Sequence, residues 1–227
     1  NNMWRIFYGT NRYAASTDAI IWSQRTVGDQ NFQIYSGAYD SSTGISILVG
    51  GSRKVASSTD DIHWTMRTVA SSYSTSTYYR AALSNNNGLF VIAGTYGDTQ
   101  KSTDGIIWTY IDWTSKLGFS RDGRDDSNSG SVTNYDSSEY FDGKFHFSMS
   151  DYPGYSNRYY TVVSSTDAIH WAHENFGDNH ANYLYDISYS DNLKTILWAG
   201  STVGGPNSQV DTSWYLYGSA GTSSIAY

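Results

Sequence analysis

The chain has 227 residues, among them 8 Trp, 21 Tyr and 8 Phe, and it carries a formal net charge of −7. This aromatic content excludes a disordered chain, and a net negative charge with only 14 Lys and Arg opposes a nucleic-acid-binding surface. No apolar run approaches the roughly 18 to 20 residues of a membrane-spanning helix, and the absence of cysteine excludes disulfides and thiolate metal sites.

The predicted elements, in chain order, are short β-strands that recur in a fixed pattern. Five β-rich runs recur along the chain, four of them before a glycine: RIFYG, ISILVGG, LFVIAG, FHFSMSD and TILWAG. All but the first follow a strand that ends in an Asn, Asp or Gly turn: IYSGAYDSSTG, YRAALSNNNG, YDSSEYFDG and LYDISYSDN. With a third and a fourth strand after each run, the unit predicts a four-stranded antiparallel sheet, the blade of a β-propeller.

A seven-residue motif, STDxIxW, stands between the third and fourth predicted strands. Its four copies are spaced 42, 44 and 63 residues apart, which is the range of propeller repeats. We expect the Ser and Asp oxygens to accept hydrogen bonds from the turn's backbone N–H groups. In an extended strand Ile20 and Trp22 share a face, so we expect both to pack between neighbouring blades. The structural residues are Ser16, Asp18, Trp22, Ser58, Asp60, Trp64, Ser102, Asp104, Trp108, Ser165, Asp167 and Trp171.

These motifs resemble the Asp-box repeat of sialidases and related propellers. The usual Asp-box has the form S-x-D-x-G-x-x-W, whereas here Trp lies four residues after Asp and only Gly105 supplies the glycine. This shorter form is similar to repeats of phage tail and other virion-associated propellers and of bacterial surface proteins. The resemblance implies the fold rather than an activity, and it suggests a virion or extracellular location.

The ends of the chain predict how the repeat closes. The first unit starts at its second strand, and the final SSIAY would supply the missing first strand by pairing into the N-terminal blade. We therefore predict an all-β fold, a five-bladed β-propeller closed by its C-terminal strand, with residues 1–227 as a single domain. The fifth blade covers roughly residues 183–217, with a degenerate motif around 211–214.

The two ends of such blades are predicted to differ. The turns at one end are short and repetitive, whereas the loops at the other end are long, irregular and rich in Tyr, Ser, Asn and Gly, a composition typical of adaptable binding surfaces. Each aromatic residue there either contacts a ligand or covers a neighbouring blade. The predicted ligand-binding residues are Tyr73, Tyr96, Trp113, Arg121, Arg124, Tyr152, Tyr155, Asn157 and Arg158.

The insertion at 111–130 exceeds what the repeat needs, so it is predicted to be a binding determinant or a subunit contact. Asp125, Ser127, Ser129, Gly130 and Asp136 follow calcium-loop spacing only loosely, and a solvated polar loop is the favoured interpretation. We predict neither a metal nor another cofactor.

The preferred hypothesis is a non-enzymatic, lectin-like recognition module that binds a cell-surface glycan or a receptor protein, in a phage tail or another virion appendage. A second hypothesis is a structural propeller that contacts other virion or surface-assembly subunits. A third is a glycoside hydrolase related to sialidases, although the sequence offers no assignable arginine triad and carboxylate pairing cannot be read from it. Nucleic-acid binding and membrane insertion are not expected.

Overall fold

A computed structural model describes residues 3–70, 79–95, 98–111, 134–151, 159–174, 183–190, 195–201, 214–216 and 225–226. The chain divides into two compact units, residues 1–111 and 112–227. In both, the elements are β-strands. The described residues contain no helix with the length and apolar character needed to span a membrane.

The first unit holds three antiparallel sheets. Sheet 1 consists of β1 (Trp4–Tyr8), β2 (Arg12–Ser16) and β3 (Ser23–Thr26). Sheet 2 consists of β4 (Ile34–Asp40), β5 (Ile45–Gly50), β6 (Lys54–Ser58) and β7 (Thr65–Thr68). Sheet 3 consists of β8 (Tyr79–Ser84), β9 (Phe90–Gly94), β10 (Thr99–Ser102) and β11 (Thr109–Ile111).

The second unit holds two antiparallel sheets. Sheet 4 consists of β12 (Asn134–Phe141), β13 (Lys144–Asp151), β14 (Tyr159–Ser165) and β15 (Ala172–Glu174). Sheet 5 consists of β16 (Tyr183–Ser190), β17 (Thr195–Ser201), β18 (Trp214–Leu216) and β19 (Ile225–Ala226). Within each sheet, strands that follow one another in the sequence pair, as the repeated turns predict.

The repeat keeps one register from sheet to sheet. The motif serines of sheets 1 to 4 lie opposite equivalent positions of the preceding strand, in the pairs Trp4 with Ser16, Ser46 with Ser58, Phe90 with Ser102 and Phe145 with Ser165. The first strand of each four-stranded sheet carries an irregularity near its start, at Ile34/Ser36, Tyr79/Ala81, Tyr135/Ser137 and Leu184/Asp186. Gly50 lies opposite the first of these irregularities, and a Cβ there would sit 1.9 Å from the carbonyl oxygen of Gln33. Only glycine fits that approach.

Apolar side chains fill the spaces between the sheets of the first unit. Tyr13 and Leu48 belong to a buried cluster of sheets 1 and 2, and Trp64 packs against it. Tyr79 and Phe90 belong to a second cluster, of sheets 2 and 3, against which Trp108 packs. Each fully buried aliphatic or aromatic side chain contributes about 1.5 to 3 kcal/mol, so these clusters join adjacent sheets into one unit.

The chain's C-terminal strand lies in a different place from the one that the sequence suggested. β19 pairs with β18 in sheet 5, through Tyr215 with Ala226 and Leu216 with Ile225. The predicted pairing of this strand with the N-terminal sheet is therefore not confirmed, and the described residues of sheet 1 form three strands. Trp214 begins the third strand of its sheet, so it does not hold the place of a motif tryptophan, and residues 211–213 lie outside the described residues.

The four motif turns share one hydrogen-bond pattern. In the first copy, Ser16 Oγ donates to Asp18 Oδ1 at 2.8 Å, and the same oxygen accepts the N–H groups of Ile20 and Ile21 at 2.9 and 2.8 Å. The copies at Asp60, Asp104 and Asp167 repeat these bonds. The backbone N–H bonds and the serine hydroxyl hold the pKa of Asp18 below its usual value. The turn therefore satisfies its own donors.

The motif isoleucines do not pack between sheets as predicted. Ile20 is 80% exposed, and Ile62, Ile106 and Ile169 are exposed as well. The reason is local: residues 17–21 form the turn itself and β3 begins only at Ser23, so the assumption of an extended strand fails. Trp22 is exposed as well, and its Nε1 donates to the carbonyl oxygen of Ala19 in its own turn. Trp64 does reach a neighbouring sheet, since its ring meets Tyr13 edge-on at 6.0 Å and its Nε1 donates to the Tyr13 hydroxyl.

The residue after the motif aspartate adopts a left-handed backbone in every copy. Its φ is +58° at Ala19, +60° at Asp61, +67° at Gly105 and +56° at Ala168. A non-glycine residue pays a steric cost in this region, because its Cβ approaches the following carbonyl. The turn geometry therefore favours a glycine at this position, which Gly105 supplies in the third copy.

We expect Gly105→Ala to lower the free energy of unfolding by about 1 to 2 kcal/mol, because alanine adds backbone strain. Its Cβ would also lie 3.1 Å from Ile47 Cγ2. Ala19→Gly should raise the free energy of unfolding by about 0.5 kcal/mol, because the relief of backbone strain exceeds the extra conformational entropy that glycine loses on folding. Gly28→Ala, which meets nothing within 4 Å, is the control. Denaturant unfolding measures all three, and equal effects of Gly105→Ala and Gly28→Ala would contradict the argument.

Candidate functional site

The long-loop ends of the sheets carry the predicted binding surface. The residues predicted to bind a ligand lie outside the described residues: Tyr73, Tyr96, Trp113, Arg121, Arg124, Tyr152, Tyr155, Asn157 and Arg158. The insertion at 112–133, with most of the calcium-like spacing, lies outside them too. The described residues that border these loops therefore define the site.

A polar cluster occupies the long-loop end of sheet 3. Tyr79 begins β8, Asp98 directly precedes β10, and Gln100 lies within β10, so the fold brings three polar side chains to one end of the sheet. All three are buried, with at most 1% of each residue exposed. Buried polar groups are costly unless they are hydrogen-bonded, and each of these has partners.

The three side chains of the cluster are hydrogen-bonded to one another. The Tyr79 hydroxyl donates to Asp98 Oδ2 at 3.2 Å. Gln100 Nε2 donates to the Tyr79 hydroxyl at 2.8 Å, to Asp98 Oδ1 at 3.1 Å and to the carbonyl oxygen of Ala70 at 2.6 Å. Ala70 follows the last strand of sheet 2, so Gln100 ties sheet 3 to the end of sheet 2. The cluster is therefore held by mutual hydrogen bonds at the long-loop end of sheet 3.

The electrostatics keep Tyr79 neutral. Burial raises the pKa of the Tyr79 phenol, the negative charge of Asp98 raises it further, and Arg53 and Gln100 act in the opposite direction. A phenol with a raised pKa stays protonated at neutral pH, so it keeps its O–H as a hydrogen-bond donor. Because Tyr79 is also fully buried, it is suited to holding Asp98 and Gln100 in place.

Arg53 supplies a cation beside this cluster. It lies in the loop between β5 and β6 with a φ of +59°, an uncommon conformation for a residue other than glycine. Its carbonyl oxygen accepts the N–H of Val69 at 2.9 Å, which places the loop next to Ala70 and hence next to Gln100. Its Nε is buried without a hydrogen-bond partner in the described part of the chain. We call Arg53, Tyr79, Asp98 and Gln100 the sheet-3 polar cluster.

Sequence reasoning missed this cluster, although the repeat contained a usable signal. Gln100 lies two residues before its motif serine, where the other three copies have Ala14, Ala56 and Val163. The register confirms the equivalence, since these residues face Ile92, Ile6, Leu48 and Phe147 respectively on the neighbouring strands. A polar residue at an otherwise apolar position of a repeat indicates a local specialisation.

The short turns of the repeat lie at the opposite end of the same sheets. Asp40 ends β4 and is fully buried, and its Oδ2 accepts the Ser84 hydroxyl at 2.6 Å and the N–H of Gly88 at 2.8 Å. Its Oδ1 accepts the N–H groups of Ser42 and Thr43. This carboxylate joins the first turns of sheets 2 and 3, so its bonds serve the scaffold. No three His, Asp or Glu side chains converge on a possible metal position within the described ranges.

No protein-family model and no curated protein sequence matches the chain. Among solved structures, it is similar to YCF48 bound to a D1 peptide, with 12% identity over 94% of this chain and 71% of that one, at a TM-score of 0.54. YCF48 from Cyanidioschyzon merolae gives 12% identity over 95% and 70%, at a TM-score of 0.51. The β-propeller domain of Myceliophteria thermophila Swd1 gives 8% identity over 98% and 88%, at 0.47.

These neighbours are β-propellers, and the likeness agrees with the all-β, antiparallel architecture of the chain. At such low identity, the likeness concerns the fold alone. Function must therefore be argued from this chain's own residues.

Proposed function

We propose that residues 1–227 form one five-bladed β-propeller that acts as a non-enzymatic recognition module and binds a receptor protein or a cell-surface glycan at the long-loop end. The proposal places the protein outside the cell or on a virion, where such recognition takes place. No cofactor and no nucleic acid has a part in it.

The sheet-3 polar cluster carries this proposal. At the turn end, the motif aspartates and Asp40 accept hydrogen bonds from groups of the turns, so these carboxylates stabilise the scaffold. At the long-loop end, Gln100 occupies a position that is apolar in the other copies of the repeat, and its side chain donates hydrogen bonds to Tyr79 and Asp98. The nearby Arg53 has a buried Nε–H that finds no acceptor among the described residues. A hydrogen-bonded polar cluster at the end of the sheet where long, aromatic-rich segments begin is an arrangement that suits a binding site.

Two further observations support binding over hydrolysis. The structurally similar YCF48 holds a peptide, so a propeller of related shape has a protein ligand. Tyr79, the tyrosine of this cluster, is fully buried and hydrogen-bonded within the cluster, which opposes a nucleophilic role for it. An assembly propeller that contacts sibling subunits is the second candidate, and the exposed apolar side chains of Trp4, Ile6 and Tyr8 favour it, because such patches mark interaction surfaces.

Binding is tested on a glycan array and on a panel of bacterial cells. We expect the wild-type protein to bind, and Arg53→Asn to bind at least about tenfold more weakly, because a charge-assisted hydrogen bond contributes roughly 1.5 to 3 kcal/mol. Asparagine tolerates the left-handed backbone, so the variant should keep the fold. Arg12→Asn, an exposed arginine at the same end of sheet 1, is the matched control.

Trp113→Ala and Tyr155→Ala extend the test to the long loops. Loss of binding in either variant supports a recognition surface that includes the predicted aromatic residues. If the wild-type protein binds neither glycans nor cells, recognition is rejected, and a stable oligomer in sedimentation then favours the assembly role. Cleavage of an arrayed glycan would reject the non-enzymatic assignment.

A further inference from the structure

The β8–β9 turn, residues 85–89, contains the only Asn-Gly dipeptide of the sequence, Asn87–Gly88. Asparagine is a thermolabile residue, and its side chain deamidates fastest before glycine, because glycine has no Cβ to hinder attack by the following backbone nitrogen. Asn87 is exposed, and within the described residues it forms a hydrogen bond through its backbone N–H rather than through its side chain. Its side-chain amide is therefore accessible to this reaction.

Deamidation proceeds through a cyclic imide, and water is its one co-reactant. The backbone nitrogen of Gly88 loses its proton and attacks Cγ of Asn87, so the N–Cγ bond forms. The Asn87 Cγ–Nδ2 bond then breaks, and ammonia leaves with the proton. Solvent water adds to either carbonyl of the imide and opens the ring. The product is aspartate, or isoaspartate, in which the main chain runs through the side-chain carbons, and nothing is oxidised or reduced.

The folded structure opposes the first step, because the attacking nitrogen already donates a hydrogen bond. The Gly88 N–H donates to Asp40 Oδ2 at 2.8 Å, and Asp40 is fully buried. Loss of the Gly88 proton would place a second negative charge directly beside this carboxylate, and like charges that close disfavour ionisation. The bond to Asp40 therefore makes the nucleophile harder to form.

Two further hydrogen bonds hold the backbone on either side of Gly88. Asn85 Oδ1 accepts the N–H groups of Asn87 and Leu89, each at 2.9 Å. Three consecutive N–H groups of the turn are thus bound to side-chain oxygens. Ring closure requires the Asn87 backbone to rotate until the Gly88 nitrogen approaches Cγ. These bonds restrict that rotation, so the turn has to open before the ring can close.

We propose that Asn87 is a deamidation site that the fold protects: the hydrogen bond from Gly88 to Asp40 suppresses the reaction in the folded state, and Asn87 reacts when the β8–β9 turn opens. Local opening of this kind belongs to the normal dynamics of a native protein. While the turn is open, its Asn-Gly sequence reacts as it does in a flexible peptide. The site lies at the turn end of sheet 3, and the inference does not depend on the proposed function.

Deamidation weakens the junction between sheets 2 and 3. Isoaspartate lengthens the main chain within the turn, so the Gly88 N–H no longer reaches its place against Asp40. Asp40 Oδ2 then keeps the Ser84 hydroxyl as a donor and loses the backbone N–H. Hydrolysis of the imide does not regenerate the amide. A reaction at an exposed residue thus permanently alters a buried contact between two sheets.

The test compares the intact protein with the synthetic peptide LSNNNGLF, which copies residues 83–90. Both are incubated in mildly alkaline buffer, and conversion of Asn87 to aspartate and isoaspartate is followed by peptide mapping and mass spectrometry. We expect conversion in the folded protein to be at least about tenfold slower than in the peptide, and conversion in the urea-unfolded protein to match the peptide. Equal rates in the folded protein and the peptide would overturn the proposal.

A matched pair of variants tests the bond to Asp40. Asp40→Asn removes the charge of the group that accepts the Gly88 N–H, whereas Ser84→Ala removes another donor to the same oxygen and keeps the carboxylate. We expect Asp40→Asn to accelerate conversion at least about tenfold more than Ser84→Ala, and equal acceleration would contradict the role of Asp40. Amide hydrogen exchange of Gly88 in the wild-type protein needs neither variant to fold, and exchange as fast as in the peptide would also overturn the proposal.

Discussion

Replacement of Asp40 by asparagine is expected to lower the free energy of unfolding by about 3 kcal/mol, because one buried carboxylate satisfies donors from two sheets. Its Oδ2 accepts from Ser84 Oγ at 2.6 Å and from the N–H of Gly88 at 2.8 Å. Its Oδ1 accepts both the N–H and the hydroxyl of Ser42 and of Thr43. An asparagine NH2 group has to face one of these sets of donors, so at least one buried donor loses its acceptor.

The matched control is Asp142→Asn. Asp142 lies in the corresponding turn between β12 and β13, is exposed, and has a φ of +49° that asparagine tolerates. Its replacement should change the free energy of unfolding by less than about 0.5 kcal/mol, as is usual at the surface. Urea denaturation compares both variants with the wild-type protein at neutral pH. Equal, small changes in both would show that the Asp40 bonds do not hold the two sheets.

The same substitution should alter the dependence of stability on pH. Burial would raise the pKa of Asp40, but the hydroxyls of Ser42 and Ser84 and the N–H groups of Thr43 and Gly88 hold it well below its usual value of 3.8. A carboxylate with a depressed pKa stabilises the folded state above its unfolded-state pKa, and this contribution is lost as the pH falls below that value. The wild-type protein should therefore lose more stability than Asp40→Asn between pH 5 and pH 2, and parallel curves would contradict this assignment.

Periodicity made the strands and motif turns predictable from the sequence. A strand, a turn cluster and STDxIxW recur with constant internal spacing, so local chemistry and repetition reinforce each other at each copy. The prediction was wrong where it extended the strand pattern into the motif turn. Ile20 was assigned to an extended strand, but the bonds of Asp18 to the N–H groups of Ile20 and Ile21 keep that segment in the turn.

The candidate site was less predictable because its residues come from separate elements. Arg53, Tyr79 and Gln100 lie in a loop, a first strand and a third strand, and only the fold brings them to one end of the first unit. Composition directed attention to aromatic loops, whereas the buried cluster depends on single departures from the repeat. An alignment of the copies with one another would have identified Gln100, but not its bond to Ala70. The pairing of β19 with β18 was not predictable either, since a two-residue strand carries almost no pattern.

Arg5→Met is expected to lower the free energy of unfolding by about 3 to 5 kcal/mol, because it leaves the buried carboxylate of Asp61 without its counter-ion. Arg5 Nη2 donates to Asp61 Oδ2 at 2.6 Å and to Ser46 Oγ at 3.0 Å, and both side chains are largely buried. The turn at Asp61 also binds sheet 1 through its carbonyl oxygen, which accepts from the Tyr13 hydroxyl and from Arg25. One motif turn of sheet 2 thus receives three side chains of sheet 1.

A double-mutant cycle separates the ion pair from the rest of this contact. Asp61→Ala introduces the residue that two other copies carry at this left-handed position, and it removes the charge while it keeps the carbonyl oxygen that Tyr13 and Arg25 contact. In the Asp61→Ala background, Arg5→Met should cost at least about 2 kcal/mol less than in the wild-type protein, since no buried charge is left behind. Asp61 Oδ1 and Arg5 Nε have no partner within the described residues, so the pair is incompletely satisfied and an apolar replacement of both sides loses little. Urea unfolding of the four proteins measures the coupling energy, and additive effects within about 0.5 kcal/mol would mean that packing, rather than the ion pair, joins sheet 1 to sheet 2.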